Sequence, residues 1–263
     1  MNELLAALLL GALEGLTEFL PISSTGHLLI AQHWLGPRSE LFNIAIQSGA
    51  ILAVCLVYRR RLAELARGWR DPGQRDYLLK LALAFAVTAV LGLAAKLAGA
   101  ELPETVAPVA LALLIGGIAI LLIERRTPTL ADQARIGWGV AVAVGVAQVV
   151  AAVFPGTSRS AAAIFAAMLA GVGRRTAATE FAFLVGIPTM FAATGFALLR
   201  YLLRGQGGED WGELAVALAA ATVTGFAAVR WLLGYVRQHS FVPFAWYRIV
   251  LGLALLLGLG PAA

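Results

Sequence analysis

Charged side chains are scarce in this sequence. Asp, Glu, Lys and Arg make up only 13% of its 263 residues, about half the ~25% usual in a soluble domain. Cysteine occurs once, as Cys55 inside an apolar run, so no disulfide forms within the chain and the redox compartment stays unread. The alternating segments of ~10 residues that mark a transmembrane β-barrel are missing too. A basic leader is also lacking: "MNELLAALLLGALEG" carries Glu3 and Glu14 instead, which argues against a secretory signal peptide.

Long apolar runs are abundant. Six of them, at roughly 41–58, 77–98, 106–123, 178–199, 212–232 and 245–260, approach the ~20 residues that span a bilayer core. Two further apolar regions, 1–36 and 136–173, are interrupted by "FLPISSTGH" and "VFPGTSRS". Proline followed by small hydroxyl residues disfavours continuous helix, so each region is expected to enter the membrane and return as a hairpin. Non-helical backbone at that depth persists only where protein or a wet cavity surrounds it.

The placement of charge agrees with this layout. The connections "YRRRLAELARGWRDPGQRDY", "IERRTPTLADQAR", Arg174–Arg175 and "VRQHS" are basic, whereas "AGAELPET" and "RGQGGEDWGE" are acidic. The basic set belongs on the cytoplasmic side. The formal charge of +5 is thereby explained by loop bias, without nucleic acid as a partner. A hairpin plus three crossings, repeated once, places the second copy upside down relative to the first. The expected fold is an all-α polytopic membrane protein forming one domain, 1–263. Repeat 1 spans 1–123 with its hairpin at 1–36, and repeat 2 spans 136–263 with its hairpin at 136–173. Inverted repeats of this kind carry their site where the two copies meet.

The first interruption gathers expensive residues. Glu14 and Glu18 are four apart and share one helix face, although one carboxylate near the bilayer centre costs at least about 2.5–3.5 kcal/mol. A divalent cation suits such a pair, or one glutamate serves as a base. An internal hydrogen-bonding pair or a cavity lining would explain them as well. After the break come Ser23, Ser24, Thr25 and His27 at the start of a helix, whose free N–H groups attract anions. Each hydroxyl could equally be an N-cap, and His27 a satisfied buried histidine. The second interruption supplies Gly156, Thr157, Ser158, Arg159 and Ser160. A guanidinium at a helix start makes a bidentate phosphate clamp; pairing of Arg159 with Glu14 or Glu18 is the alternative. Cation, phosphoryl group and nucleophile could all meet between the two breaks.

With "EGLTEFLPISSTGHL", "QSGAILAV", "PGTSRS", "EFAFLVGIP" and "FAWYRIVLG" in this order, the chain resembles the undecaprenyl-diphosphate phosphatase family of the bacitracin-resistance type over essentially its whole length. The resemblance implies a multi-pass enzyme of the bacterial cytoplasmic membrane. Such an enzyme hydrolyses a prenyl diphosphate lipid to the monophosphate with Mg²⁺ or Ca²⁺, recycling the carrier for peptidoglycan synthesis, with chemistry on the outer side. It places the catalytic glutamates on Glu14 and Glu18, the nucleophile on Ser24, the histidine on His27 and the diphosphate-binding arginine on Arg159, flanked by Ser158 and Ser160. The sequence departs from the family pattern at Ala161 and Ala163, where glycine and threonine are usual, and the lost glycine is expected to stiffen the turn. A lipid-carrier flippase or secondary transporter is the main rival, because architecture alone does not separate it from an enzyme. An ion channel would need a polar path along the crossings, and the polar residues cluster instead at the two breaks. Membrane lipids surround the protein, and the sequence leaves a homodimer open.

Overall fold

A computed structural model describes residues 2–100, 102–126, 134–204 and 208–258. Parts of the connections discussed above (101, 127–133 and 205–207), and the last residues of the run at 245–260, lie outside the described residues. Those residues form eleven helices and no strand. In chain order they are α1 Glu3–Thr17, α2 Ser24–Leu35, α3 Glu40–Val57, α4 Arg59–Arg67, α5 Pro72–Leu97, α6 Val106–Arg126, α7 Trp138–Val153, α8 Arg159–Leu169, α9 Arg175–Leu203, α10 Trp211–Tyr235 and α11 Val242–Leu256.

Five of these, α3, α5, α6, α9 and α10, are long and apolar enough to cross a membrane. The run expected at 245–260 corresponds to α11, an apolar helix of 15 residues. Each interrupted region is a pair of short helices, α1 with α2 and α7 with α8. The basic stretch after α3 contains a helix of its own. Arg, Leu, Ala and Glu are all good helix formers, and α4 buries Leu65 while Arg59, Arg60 and Arg67 are exposed and Arg61 turns inward to Glu180 and Gln74.

Large apolar side chains cover the exterior. Val90, Ile115, Val223 and Val250 are each more than 60% exposed, whereas Glu14, Gln148, Thr179 and Arg248 are almost fully enclosed. That is the distribution expected when hydrocarbon is the solvent and polar groups must find partners within the protein.

Packing runs crosswise between the halves. Helix α1 lies on α10, α7 lies on α5, α3 meets α9, and α6 meets α11. Small residues permit these close approaches, as is general for helices in membranes. A Cβ on Gly15 would stand 2.3 Å from the Ala221 carbonyl oxygen, and one on Gly145 would stand 2.7 Å from that of Ala84. The α6–α11 crossing is reciprocal: a Cβ on Gly117 would meet the Ala245 oxygen, and one on Gly252 the Ala110 oxygen, both at 2.8 Å. Threonines fasten the equivalent crossings. Thr224 Oγ1 donates to the Ala12 carbonyl at 3.0 Å, and Thr88 Oγ1 to that of Gly145 at 3.1 Å.

Candidate active site

The two interruptions share one local backbone solution. Helix α2 begins after Ser23 (φ 73°, ψ 96°), and α8 begins after Ser158 (φ 70°, ψ 113°). They are the two non-glycine residues with positive φ among the described residues. A left-handed serine costs on the order of 1–3 kcal/mol, yet here the same strain occurs twice. In each case the serine Oγ accepts a 3.3 Å hydrogen bond from the N–H three residues on, Gly26 and Ala161 respectively. Ser23 and Ser158 are therefore the N-caps, which leaves their neighbours available for other work. Ala161 sits inside α8 rather than in the turn, so alanine costs the backbone nothing there and is favoured over glycine by about 1 kcal/mol.

Ser24, one residue past the first cap, donates its hydroxyl to Glu18 Oε2 at 2.5 Å, with both residues buried. Glu18 terminates α1 as its C-cap, and Glu14 lies one turn earlier on the same helix. Both Glu14 carboxylate oxygens are buried without a hydrogen-bond partner. Glu18 and Arg159 are close enough to act on the charge of Glu14. Buried, unpaired carboxylate oxygens beside a second carboxylate fit a hard divalent cation. Mg²⁺ in particular tends to take one or two carboxylates and to complete its shell with water and substrate phosphate. Among the described residues no cluster of three or more His, Cys, Asp or Glu offers an all-protein cage.

Arg159, the first residue of α8, donates through Nη2 to Gln47 Oε1 on α3 at 2.9 Å. Arg159 and Glu18 line the same cleft, together with Gln148, Ser160 and Ala163. The open volume is about 20 Å³, room for roughly one water. Ser160 Oγ reaches across to the Leu20 carbonyl at 3.2 Å and lies 3.0 Å from Ser158 Oγ. Glu18, Ser24, Arg159 and Ser160 are thus brought together from opposite halves of the chain. Thr25 is half-buried in the first turn of α2, beside Ser24.

Neither ring nitrogen of His27 is bonded to Ser24. Its Nδ1 lies 2.7 Å from the Ser23 carbonyl, which can only accept, so Nδ1 carries the proton there. Its Nε2 lies 2.6 Å from the Tyr247 hydroxyl, which then donates to it in the neutral ring. The imidazole fastens the strained serine to α11. Gly156 (φ +90°) faces α6 so closely that a Cβ would stand 2.7 Å from the Val109 carbonyl. Gly156 and Thr157 contribute their carbonyl oxygens to a different residue, Arg248.

Arg248 is fully buried. It donates to the carbonyls of Pro21 and Thr157 through Nη1, at 3.3 and 3.0 Å, and of Gly156 and Ala112 through Nη2, at 3.2 and 3.0 Å. One guanidinium therefore ties both interruptions to α6. Sequence reasoning assigned no role to Arg248, Tyr247, Gln47 or Gln148. The available signal was an ionisable residue inside the apolar run at 245–260, a position functional by default.

Paired interrupted helices closing on a carboxylate–arginine cleft, inside an apolar helical shell, define a multi-pass membrane protein with a charged internal site. The chain belongs to the family described as bacitracin resistance protein BacA, whose model matches residues 7–254. It is 64% identical over 260 residues to an undecaprenyl-diphosphatase of Stenotrophomonas maltophilia strain K279a, covering 98% of both chains. It is also 60% identical over 264 residues to one from Xanthomonas axonopodis pv. citri, and 61% to one from Xanthomonas campestris pv. campestris strain 8004, with complete coverage of both chains in each comparison.

Proposed function

We propose that this chain is an undecaprenyl-diphosphatase of the bacterial cytoplasmic membrane. It removes the terminal phosphate of undecaprenyl diphosphate, recycles the lipid carrier for peptidoglycan synthesis and thereby confers bacitracin resistance. Three relatives bearing that name at 60–64% identity support the reading. The observation that carries it is the 2.5 Å hydrogen bond from Ser24 Oγ to Glu18 Oε2 in the cleft that Arg159 shares. A hydroxyl against a carboxylate, beside a guanidinium, combines nucleophile, base and phosphate clamp.

In this mechanism Arg159 and the first N–H groups of α8 hold the diphosphate oxygens. Ser24 Oγ forms a bond to the terminal phosphorus as its proton passes to Glu18. The bond from that phosphorus to the bridging oxygen breaks, and its electron pair leaves with the prenyl phosphate. Water then attacks the phosphoserine and gives a proton to Glu18, while the proton already held there returns to Ser24 Oγ as the Oγ–P bond breaks. Inorganic phosphate departs with the proton that Glu18 still holds, which restores the carboxylate. Glu18 rather than His27 is the base in this mechanism, because both His27 nitrogens are engaged elsewhere. His27 acts by holding Ser23 in place. Glu14 and Glu18 would hold Mg²⁺ or Ca²⁺, which supplies charge neutralisation at the phosphoryl oxygens.

The crosswise helix pairs and the repeated serine geometry support an inverted duplication. The distribution of basic connections supports a site opening to the outer side. Inverted repeats also build transporters, so the decisive experiment is chemical. Purified wild-type protein in detergent, supplied with Mg²⁺ or Ca²⁺ and a prenyl diphosphate, releases inorganic phosphate. A protein that binds the lipid and releases none is a transporter or flippase instead.

A further inference from the structure

Gln148 has no role in the mechanism above, yet among the described residues it is the uncharged side chain whose buried polar atoms lack partners. It lies on α7, is 2% exposed, and both its Oε1 and its Nε2 lack a hydrogen-bond partner. A buried amide left unsatisfied costs about 1–3 kcal/mol, so a satisfied partner is expected in the working protein. The side chain lines the cleft that contains Glu18, Arg159 and Ser160.

Its position repeats that of Glu14. Glu14 stands seven residues before Pro21 and Gln148 seven before Pro155. Each lies on the entering helix of its hairpin, and each leaves both of its terminal polar atoms unpartnered. The same site in the two halves thus carries an acceptor-only carboxylate in one and a neutral amide in the other. The amide can donate and accept at once, which the carboxylate cannot. Next to a phosphorus, that pairs an N–H for a phosphoryl oxygen with a carbonyl oxygen for a water hydrogen.

We infer that Gln148 is a catalytic residue of this cleft, donating from Nε2 to an oxygen of the phosphoryl group under attack and accepting at Oε1 from the water that releases it. This rests on the phosphatase reading and extends it to a residue of the second half. The amide makes no hydrogen bond to protein, so replacing it with leucine removes its polar function without breaking a protein hydrogen bond.

The test is steady-state phosphate release from a prenyl diphosphate by wild type and Q148L, with the thermal unfolding midpoint of each. Q148L is expected to lose about 100-fold in kcat, with KM within about threefold and an unfolding midpoint equal to or above that of wild type. Q148E keeps the acceptor, loses the donor and adds charge beside Glu18, so it is expected to fail as Q148L does. A Q148L kcat within about threefold of wild type overturns the inference and leaves the phosphatase reading standing. A markedly lowered midpoint, with the activity loss recovered on cooling, assigns the amide a packing role and overturns it equally. A wild-type protein that releases no phosphate overturns the phosphatase reading and this inference together.

Discussion

The two interrupted hairpins solve one backbone problem and divide one chemical problem. Ser23 and Ser158 adopt nearly the same left-handed conformation and cap their helices at the same 3.3 Å distance. What they display differs. The first hairpin carries Glu14, Glu18 and Ser24, and the second carries Arg159, Ser160 and Gln148. A buried cluster of one sign is costly in hydrocarbon, and each half supplies the complement of the other. The two halves thus share a backbone turn and differ in the side chains it presents.

This division can be broken from either side. The largest loss is expected for Ser24→Ala. If Ser24 is the nucleophile, kcat for phosphate release falls by about 10³–10⁴-fold, equivalent to roughly 4–5 kcal/mol of barrier. No phosphoserine can then be trapped; a Ser24→Ala protein retaining near-normal turnover would assign the attack to water. Arg159→Ala comes next, at about 10²–10³-fold in kcat/KM. Arg159→Lys should recover only part of that, because an ammonium cannot reproduce the bidentate fork. Equal activity for the lysine variant would show that charge alone is needed.

Arg248→Met tests the tie between the hairpins. It strands the carbonyls of Pro21, Gly156 and Thr157, and is expected to lower stability by roughly 3 kcal/mol, read as a fall in the detergent unfolding midpoint. An unchanged midpoint would mean that the hairpins hold their register without it. The smallest effect is expected for Ala163→Thr. Ala163 lines the cleft, so the hydroxyl restored there should lower KM by about two- to threefold, a shift of only a few tenths of a kcal/mol.

Much of this architecture was legible beforehand, because hydrocarbon leaves the chain few choices. Apolar length marked the five helices long enough to cross a membrane, although the run at 245–260 is the shorter α11, and proline with adjacent hydroxyls marked the interruptions at Pro21 and Pro155. That Glu18 and Arg159 line one cleft could be expected from charge, since a lone ion of either sign is costly at that depth. The basic stretch after α3 reads as a connection, because the amphipathic pattern of the helix Arg59–Arg67 within it is short. The work of Arg248 was hidden for another reason. Its partners are backbone carbonyls, which carry no residue identity and so leave no motif. The hydrogen bond between His27 and Tyr247 spans 220 residues and depends on how α11 docks. Gln148 could have been noticed from its spacing to Pro155, had the spacing of Glu14 to Pro21 been used as a template.

The central claim is that one reacting phosphorus lies between the two hairpins, and a double-mutant cycle addresses it most directly. Phosphate release would be measured for wild type, Glu18→Gln, Arg159→Ala and the double variant. Groups that act together on one transition state lose activity non-additively, so the double variant should be little worse than the poorer single one. Losses that multiply across the pair would place Glu18 and Arg159 in separate events, and the shared site would be wrong.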